Sequence, residues 1–322
     1  MRKVLITKLA SLGDLIHALP ALSDAAKAIP DIAFDWVVDK NFSEIPLWHP
    51  SVQKTFLTNH RFWRSHLFAK QSRQEFTHLL RELKLEKYDL IIDAQGNLKS
   101  SILSLAAKGK RVGWDSSSVI EWGAHFLYKE SYCVSKKEHA IERLRSLFAQ
   151  ALDYPIPNTP PDYCIDLLKL KTPNIDLPPS YVLFVPIASY DSKLWPEDHW
   201  KELIEKSTQQ GLFILLPWGN AKEKERAMRL AIHPQVKVLP KLSLSEIAFI
   251  IKQAKGLVSV DTGLSHMAAA LGTPGLTLYG PTDSKLTGTI GENQTWMKSP
   301  SSILADLSPS AVFEKFFAKI KK

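Results

Sequence analysis

Short apolar, β-rich runs alternate along this chain with longer segments whose apolar residues recur at helical spacing, and that alternation admits few folds besides parallel sheets covered by helices. In the first half the pattern predicts strands over 4–7, 34–38, 55–57, 89–93 and 111–113, with the longest helices over 74–85 and 139–152. Pro155, Pro157, Pro160, Pro161, Pro173, Pro178 and Pro179 then punctuate a run without periodicity, which suits a linker. Alternation resumes with strands over 181–185, 213–216, 236–239, 257–260 and 276–279. After Ser243, Ile247, Ile250, Ile251 and Ala254 keep helical spacing, and Ser243 with Glu246 makes a capping box. The last helix runs over about 310–321 and ends in Lys319, Lys321 and Lys322. The expected organisation is α/β, with one domain over 1–160, a second over 161–322, and facing sheets with a ligand cleft between them.

The length of 322 residues suits two domains, and 45% hydrophobic with 23% charged residues excludes disordered, collagenous and coiled-coil chains. Cys133 and Cys164 are too few for a disulfide framework or a four-thiolate metal site, so two buried thiols in a reducing compartment are expected. Lys8, Asp14 and His17 interrupt the first apolar run before it reaches the length of a secretory signal. No stretch approaches the ~20 apolar residues of a membrane span, and a cytoplasmic location is the default. A net charge of +8 favours an anionic partner: nucleic acid, a phosphorylated small molecule or an anionic membrane face.

Several segments sit where open α/β sheets bind ligands, at the carboxyl ends of strands. Asp14, in Lys8-Leu-Ala-Ser-Leu-Gly-Asp14, could cap the next helix or serve as a base. Pro20 predicts that the regular helix starts only near Leu19, which would free Asp14 from capping. One glycine, Gly13, makes neither a Walker loop nor a dinucleotide fingerprint. In Ser259-Val-Asp261-Thr262-Gly263-Leu-Ser-His266, Thr262 and Gly263 would offer N–H groups at a helix's positive end, a site for phosphate. His266 reads equally as a helix residue satisfied by a carbonyl. Ser189 and Lys193 follow the strand over 181–185 and precede a helix begun by Pro196. Lys193 could be a solvated loop lysine. Trp218 could stack on a base and Glu223 could bind a ribose, or they are a core tryptophan and a solvated glutamate.

The segment over 61–73 interleaves Arg61, Arg64, Lys70 and Arg73 with Phe62, Trp63, Leu67 and Phe68. It reads as a mobile loop or an interfacial amphipathic segment, able to grip phosphates or an anionic lipid surface at ~1 kcal/mol per charge.

In their order along nearly the whole chain, these motifs resemble the lipopolysaccharide heptosyltransferases. The residues that carry the resemblance are Ser11-Leu-Gly-Asp14 with Ala18-Leu-Pro-Ala-Leu22, Phe34-Asp-Trp-Val-Val38, Asp93-Ala-Gln-Gly96 with Lys99-Ser100, and Trp195-Pro-Glu-Asp-His-Trp200. Leu216-Pro-Trp-Gly219, the stretch from Ser259 to His266, and Leu278-Tyr-Gly-Pro-Thr-Asp283 complete it.

The resemblance implies a GT-B fold of two Rossmann-like domains, the first binding acceptor and the second donor, with the final helix crossing back onto the first. It implies inverting, metal-independent transfer of L-glycero-D-manno-heptose from ADP-heptose to the Kdo of Kdo-lipid A, with ADP-heptose a substrate and no cofactor. By the same resemblance Asp14 is the general base and Lys193 contacts the donor phosphates. Thr262 and Gly263 cradle the pyrophosphate, Ser189 and Trp218 belong to the donor site, Glu223 holds the ribose, Asp261 the transferred sugar, and His266 supports the site. Arg61, Arg64 and Lys99 receive the acceptor's acidic groups. The enzyme is then a monomer in peripheral contact with the cytoplasmic face of an anionic inner membrane and binds no nucleic acid. The chain departs from the family pattern at Ile120 and Glu121, where an acceptor Arg is expected, and at Ala188 and Ser189, where a Thr is expected.

Inverting transfer needs a base for the acceptor hydroxyl and positive charge for the departing diphosphate, which Asp14 and Lys193 could supply from separate domains. No Asp-x-Asp triplet occurs, so a metal-bridged diphosphate is not expected. The rival readings are another ADP-sugar or nucleotide-sugar transferase of the same fold, for example one like heptosyltransferase II, a sugar-nucleotide epimerase or hydrolase, and a nucleic-acid binder. The last leaves the carboxylates of Asp14, Glu223 and Asp261 unexplained beside a polyanion.

Overall fold

A computed structural model describes residues 1–66 and 68–321; Leu67 of the cationic segment and Lys322 of the basic C-terminus lie outside the described residues. The chain divides into two compact units, Met1–Asp166 and Leu167–Lys322.

In the first unit, β1 (Arg2–Thr7), β2 (Ile32–Asp39), β3 (Val52–Thr58), β4 (Lys87–Asp93), β5 (Lys108–Trp114) and β6 (Glu130–Tyr132) form one sheet in the order 3-2-1-4-5-6. Each neighbouring pair is parallel, with Val4 opposite both Phe34 and Leu90. Helices on both faces explain why the central strands are continuous apolar runs: Val4, Leu5, Ile6, Trp36, Val37, Ile91 and Ile92 expose no surface. Those helices are α1 (Leu12–Ala28), α2 (Glu44–Leu47), α3 (His60–Ser65), α4 (Lys70–Leu85), α5 (Leu98–Ser104) and α6 (Ala140–Leu152). The buried Arg145 guanidinium bonds Asp24 at 2.6 Å and ties α6 to α1; removing either partner alone would strand a charge, at about 3–5 kcal/mol.

The second unit repeats the topology. Its strands β7 (Tyr181–Val185), β8 (Phe213–Leu216), β9 (Val236–Val238), β10 (Leu257–Val260), β11 (Gly275–Tyr279) and β12 (Gln294–Lys298) are ordered 12-11-10-7-8-9, again all parallel. Its helices are α7 (Glu197–Gln209), α8 (Ala221–Leu230), α9 (Leu244–Gln253), α10 (Gly263–Ala270), α11 (Ser284–Thr287) and α12 (Pro309–Ile320). The final helix packs on α7 and β11, burying Phe316 against Phe184. In both sheets the strand order reverses beside the first strand, between β1 and β4 and between β7 and β10, the point where open α/β sheets bind ligands.

Four local expectations are corrected. α1 is regular from Leu12 with Pro20 inside it, because burial of Leu15, Ile16, Leu19 and Leu22 outweighs the one hydrogen bond that proline forfeits. The pattern does not predict β6 and β12, because Glu130-Ser-Tyr132 and Gln294-Thr-Trp-Met-Lys298 contain no apolar run. Both thiols, Cys133 and Cys164, are exposed rather than buried. Of the two readings of the cationic segment, the loop is corrected: Arg61 to Ser65 lie in α3 and Lys70 opens α4.

Candidate active site

At the first unit's reversal point, β1 runs through the buried Lys8 into α1, whose N-cap is Ser11. Asp14 lies in the first turn. Its Oδ2 accepts from Ser11 N at 2.8 Å and Ser11 Oγ at 2.7 Å, so Asp14 is not freed from capping as Pro20 suggested. Both bonds fall on one oxygen, and the cap leaves the lone pairs of Oδ1 unspent.

The neighbouring strand fixes this loop from the other side. Asp93, wholly buried at the end of β4, accepts on Oδ1 from Gln95 N at 2.9 Å and Gly96 N at 3.0 Å. On Oδ2 it accepts from Ser100 Oγ, Ser101 Oγ and Tyr128 Oη at 2.9, 2.7 and 2.8 Å. Burial and the Asp93 charge together push the Tyr128 phenol far up. The turn so formed aims the Gln95 side chain back at β1, where Oε1 accepts from Leu9 N at 3.1 Å and Ala10 N at 3.4 Å. Gly96 at φ +75° makes the turn possible, and any Cβ there would sit 2.7 Å from Trp114 Cδ1. Lys8 Nζ donates to Ala94 O at 3.2 Å. Burial holds the Lys8 ammonium below its ordinary range; the carboxylates of Asp14 and Asp93 pull it up and Arg143 pushes it down.

A cavity of about 400 Å³ opens beside the same loop, lined by Leu9, His60, Trp63, Arg64, Arg73 and Lys99 among others. Arg64 and Lys99 both line this cavity, while the exposed Arg61 does not. Trp63 is half-buried, lines this cavity and is held by its indole N–H, which donates to Glu75 Oε2 at 2.8 Å. Phe68 is exposed. The sequence reading missed His60 and Lys8, and saw Arg73 only as one charge in a run.

At the second unit's reversal point, Lys193 follows β7 and Asp261 follows β10. Lys193 Nζ donates to Asp261 Oδ2 at 2.5 Å, and Thr282 Oγ1 donates to the same oxygen at 2.6 Å. The Thr282 loop is held by Lys298, whose ammonium bonds Thr282 O at 2.7 Å. Thr262 is the N-cap of α10 and Gly263 its first residue, so the helix's positive end opens directly after the Lys193–Asp261 pair. His266 is buried one turn inside α10. Burial, with the Asp261 charge behind it, pushes the Tyr279 phenol up to about 12. Thr282 and Tyr279 lie within the Leu278 to Asp283 motif, yet nothing local shows that they face Asp261.

Ser189 and Glu223 line a second cavity, of about 280 Å³, with Asn220, Arg226 and Arg229. Glu223 Oε2 accepts from Gly219 N at 2.7 Å at the start of α8. Glu197 binds Arg226 Nη1 at 3.0 Å and Arg229 Nη2 at 2.8 Å, which fixes both guanidinium groups. Arg226 had a sequence signal, since it falls three residues after Glu223 on one helix face. Trp218 donates Nε1 to Leu239 O at 2.6 Å and carries Lys224 over its ring, and it does not line this cavity.

The first unit thus presents a carboxylate on a braced loop beside a cationic cavity. The second presents a lysine beside a helix N-terminus, a pairing suited to a diphosphate, and a separate cavity lined by Ser189, Glu223 and two arginines.

Residues 76–316 match glycosyltransferase family 9 (heptosyltransferase). A lipopolysaccharide heptosyltransferase 1 of Escherichia coli (strain K12) is 44% identical over 315 residues, 97% of this chain and 98% of that protein. The solved structure of E. coli heptosyltransferase WaaC with ADP superposes with a TM-score of 0.92 at 41% identity, covering 98% of this chain and 99% of that one. WaaC with ADP-2-deoxy-2-fluoro heptose superposes with a TM-score of 0.89 at the same identity and coverage. The fold is accordingly the α/β GT-B class of these enzymes. Matched over most of its length by the family and at this identity by a relative, the chain belongs to glycosyltransferase family 9, the heptosyltransferases.

Proposed function

We propose that this heptosyltransferase moves L-glycero-D-manno-heptose from ADP-heptose to the Kdo of Kdo-lipid A, in building the lipopolysaccharide inner core. The observation that carries the reading is the Lys193–Asp261 pair at the opening of α10, a fixed cation and a helix N-terminus placed together for a leaving diphosphate. Asp14 takes the proton from the acceptor hydroxyl as its oxygen attacks the anomeric carbon. The bond from that carbon to the β-phosphate oxygen breaks, and ADP leaves with the electron pair. Inversion follows from attack opposite the leaving group.

The donor is held by the second unit. Lys193 and the N–H groups of Thr262 and Gly263 meet the pyrophosphate, Ser189 lies near it, and Glu223 holds the ribose, with Arg226 and Arg229 adding charge. Trp218 borders the base, Asp261 positions the heptose and His266 supports α10. The acceptor is held by the first unit, where Arg64 and Lys99, with Arg61 outside the cavity, meet carboxylates or phosphates. No cofactor and no metal enter the scheme. The protein acts as a monomer in peripheral contact with the anionic cytoplasmic face of the inner membrane, and no helix among the described residues is long and apolar enough to cross it.

The test is ADP release from ADP-heptose with no acceptor, with Kdo-lipid A and with an already heptosylated acceptor. Release with Kdo-lipid A alone supports the reading. Release without acceptor would make the protein a hydrolase, and preference for the heptosylated acceptor would make it a later transferase of the same core.

A further inference from the structure

Helix α5 is built inside out for a helix on the surface of a domain. Ser100, Ser101 and Ser104 are buried, whereas Leu98, Ile102 and the C-cap Leu105, at i, i+4 and i+7, are exposed. The buried hydroxyls have a reason, since Ser100 and Ser101 are spent on Asp93. Nothing within the unit explains the exposed apolar stripe.

The stripe is also not alone. The chain after β5 returns to the start of α5, where Ile120 N and Glu121 N both donate to Gly96 O. Ile120 is 63% exposed, Trp122 75% and Phe126 69%. Trp122 and Phe126 meet edge to face at 5.6 Å, and His125 packs against Phe126 at 4.0 Å. A Cβ on Gly123 would touch Leu98 Cδ2, so this aromatic group continues the α5 stripe. Glu121 is exposed too, but its carboxylate is tied to the start of α5, accepting from Leu98 N at 2.8 Å. Exposed Lys99 lies on α5 itself, and Ile102 lines the cavity that also holds Arg64 and Arg73.

We propose that this face, formed by Leu98, Ile102, Leu105, Ile120, Trp122 and Phe126, docks the protein on an anionic lipid bilayer. The apolar side chains enter the interfacial layer, and Lys99, Arg64 and Arg73 meet acidic headgroups. The inference rests on the reading that the acceptor is lipid-linked, and it explains how such a molecule reaches the cavity: Ile102 belongs to both the docking face and the cavity wall. A second copy of the chain suits this face less well, because a two-fold contact would set the same cations against one another. The face differs from the segment over 61–73, in which Trp63 is committed to the cavity wall.

The test is flotation with vesicles of phosphatidylethanolamine and phosphatidylglycerol, compared with vesicles of phosphatidylcholine alone, neither containing acceptor. The wild type is expected to float with the anionic vesicles and to be released by high salt. The double variant Trp122→Ser, Phe126→Ser should lose roughly tenfold or more of that binding. It should keep ADP affinity and its rate on a deacylated, water-soluble acceptor, yet slow on vesicle-borne acceptor. Equal flotation of variant and wild type overturns the proposal, as does failure of the wild type to bind. Dissociation of a wild-type dimer by the double substitution would overturn it in favour of a second copy. Because the vesicles carry no acceptor, the binding result stands apart from whether Asp14 or Lys193 does the chemistry assigned to it.

Discussion

Lys193 Nζ lies 2.5 Å from Asp261 Oδ2, joining loops 68 residues apart in sequence through the adjacency of β7 and β10. A loop lysine is ordinarily a mobile, solvated charge. Here the carboxylate gives it one position, next to the N-terminus of α10, so little reorganisation separates it from a diphosphate developing charge. Lys193→Ala should therefore lower kcat by roughly 10²- to 10³-fold. Wild-type turnover should survive EDTA. Initial rates for both proteins, with and without chelator, check this, and rescue of chelated wild type by Mg²⁺ would remove Lys193 from its role as the leaving-group cation.

Asp14 both caps α1 and stands at the sheet edge, and a substitution must separate those roles. Asn keeps the shape and an acceptor oxygen for Ser11, so Asp14→Asn should cost less than about 1 kcal/mol of stability. It cannot take a proton, and kcat should fall roughly 10²- to 10⁴-fold with ADP binding retained. Rate assays paired with ADP titration and urea unfolding decide the matter; near-normal turnover would return Asp14 to capping alone.

Gln95 supports the same loop from β4. Because both its partners are backbone donors, at Leu9 and Ala10, its bonding atom must be the oxygen. Gln95→Ala removes that acceptor and should slow turnover by roughly tenfold while leaving donor KM unchanged, since a misplaced base affects chemistry before binding. Gln95→Glu keeps an oxygen there and should recover part of the rate. Equal losses in both variants, or a change confined to donor KM, would contradict a positioning role.

The sheets and most helices were legible because buried parallel strands announce themselves as apolar runs, and because Ser243 and Glu246 mark a helix start without help from the rest of the fold. Positions such as Lys193 and Asp261 were legible as sheet-edge residues, but their pairing was not, since only strand order brings them together. Gln95 reaches a partner 86 residues earlier, a relationship with no local signature. Pro20 misled for the opposite reason: its local rule is strong, and only tertiary burial of α1 overrides it. The inverted face of α5 is equally silent in sequence, because Ser100 and Ser101 look like solvent-facing residues until Asp93 is found beneath them.

The cationic cavity distinguishes residues that the sequence treats alike. Arg64 and Lys99 line it, and Arg61 does not. Replacing Arg61 and Arg64 together by Ala should raise acceptor KM, and the Arg64 single variant should carry most of the effect, roughly tenfold for one lost charge-assisted contact. ADP affinity should not change, because the donor is assigned to the other unit. Steady-state kinetics with acceptor varied at saturating donor, accompanied by ADP titration, measures both; an equal loss of ADP affinity would contradict the division of labour.

Glu197 gives the second unit a pH-dependent brace. Hydrogen bonds from Arg229, aided by the charge of Arg226 and opposed by burial, hold its carboxyl below the ordinary value of 4.5. In the window between the folded and ordinary values the unfolded chain binds more protons, so stability rises with pH there. The contribution is fully present above the ordinary glutamate range and is lost as pH falls through the folded value. Glu197→Gln should accordingly cost about 0.5–1 kcal/mol at neutral pH, the range for a partly screened ion pair. The gap between variant and wild type should close as pH drops below 4.5. Because Arg229 lines the cavity with Ser189 and Glu223, releasing it should also weaken ADP binding at neutral pH, whereas Arg226 stays held by Pro186 O and Trp195 O. Urea unfolding of both proteins across this pH range, with ADP titration at neutral pH, measures the two effects. A stability gap that stays constant into acid would show that Glu197 acts through packing or capping of α7 and not through its charge.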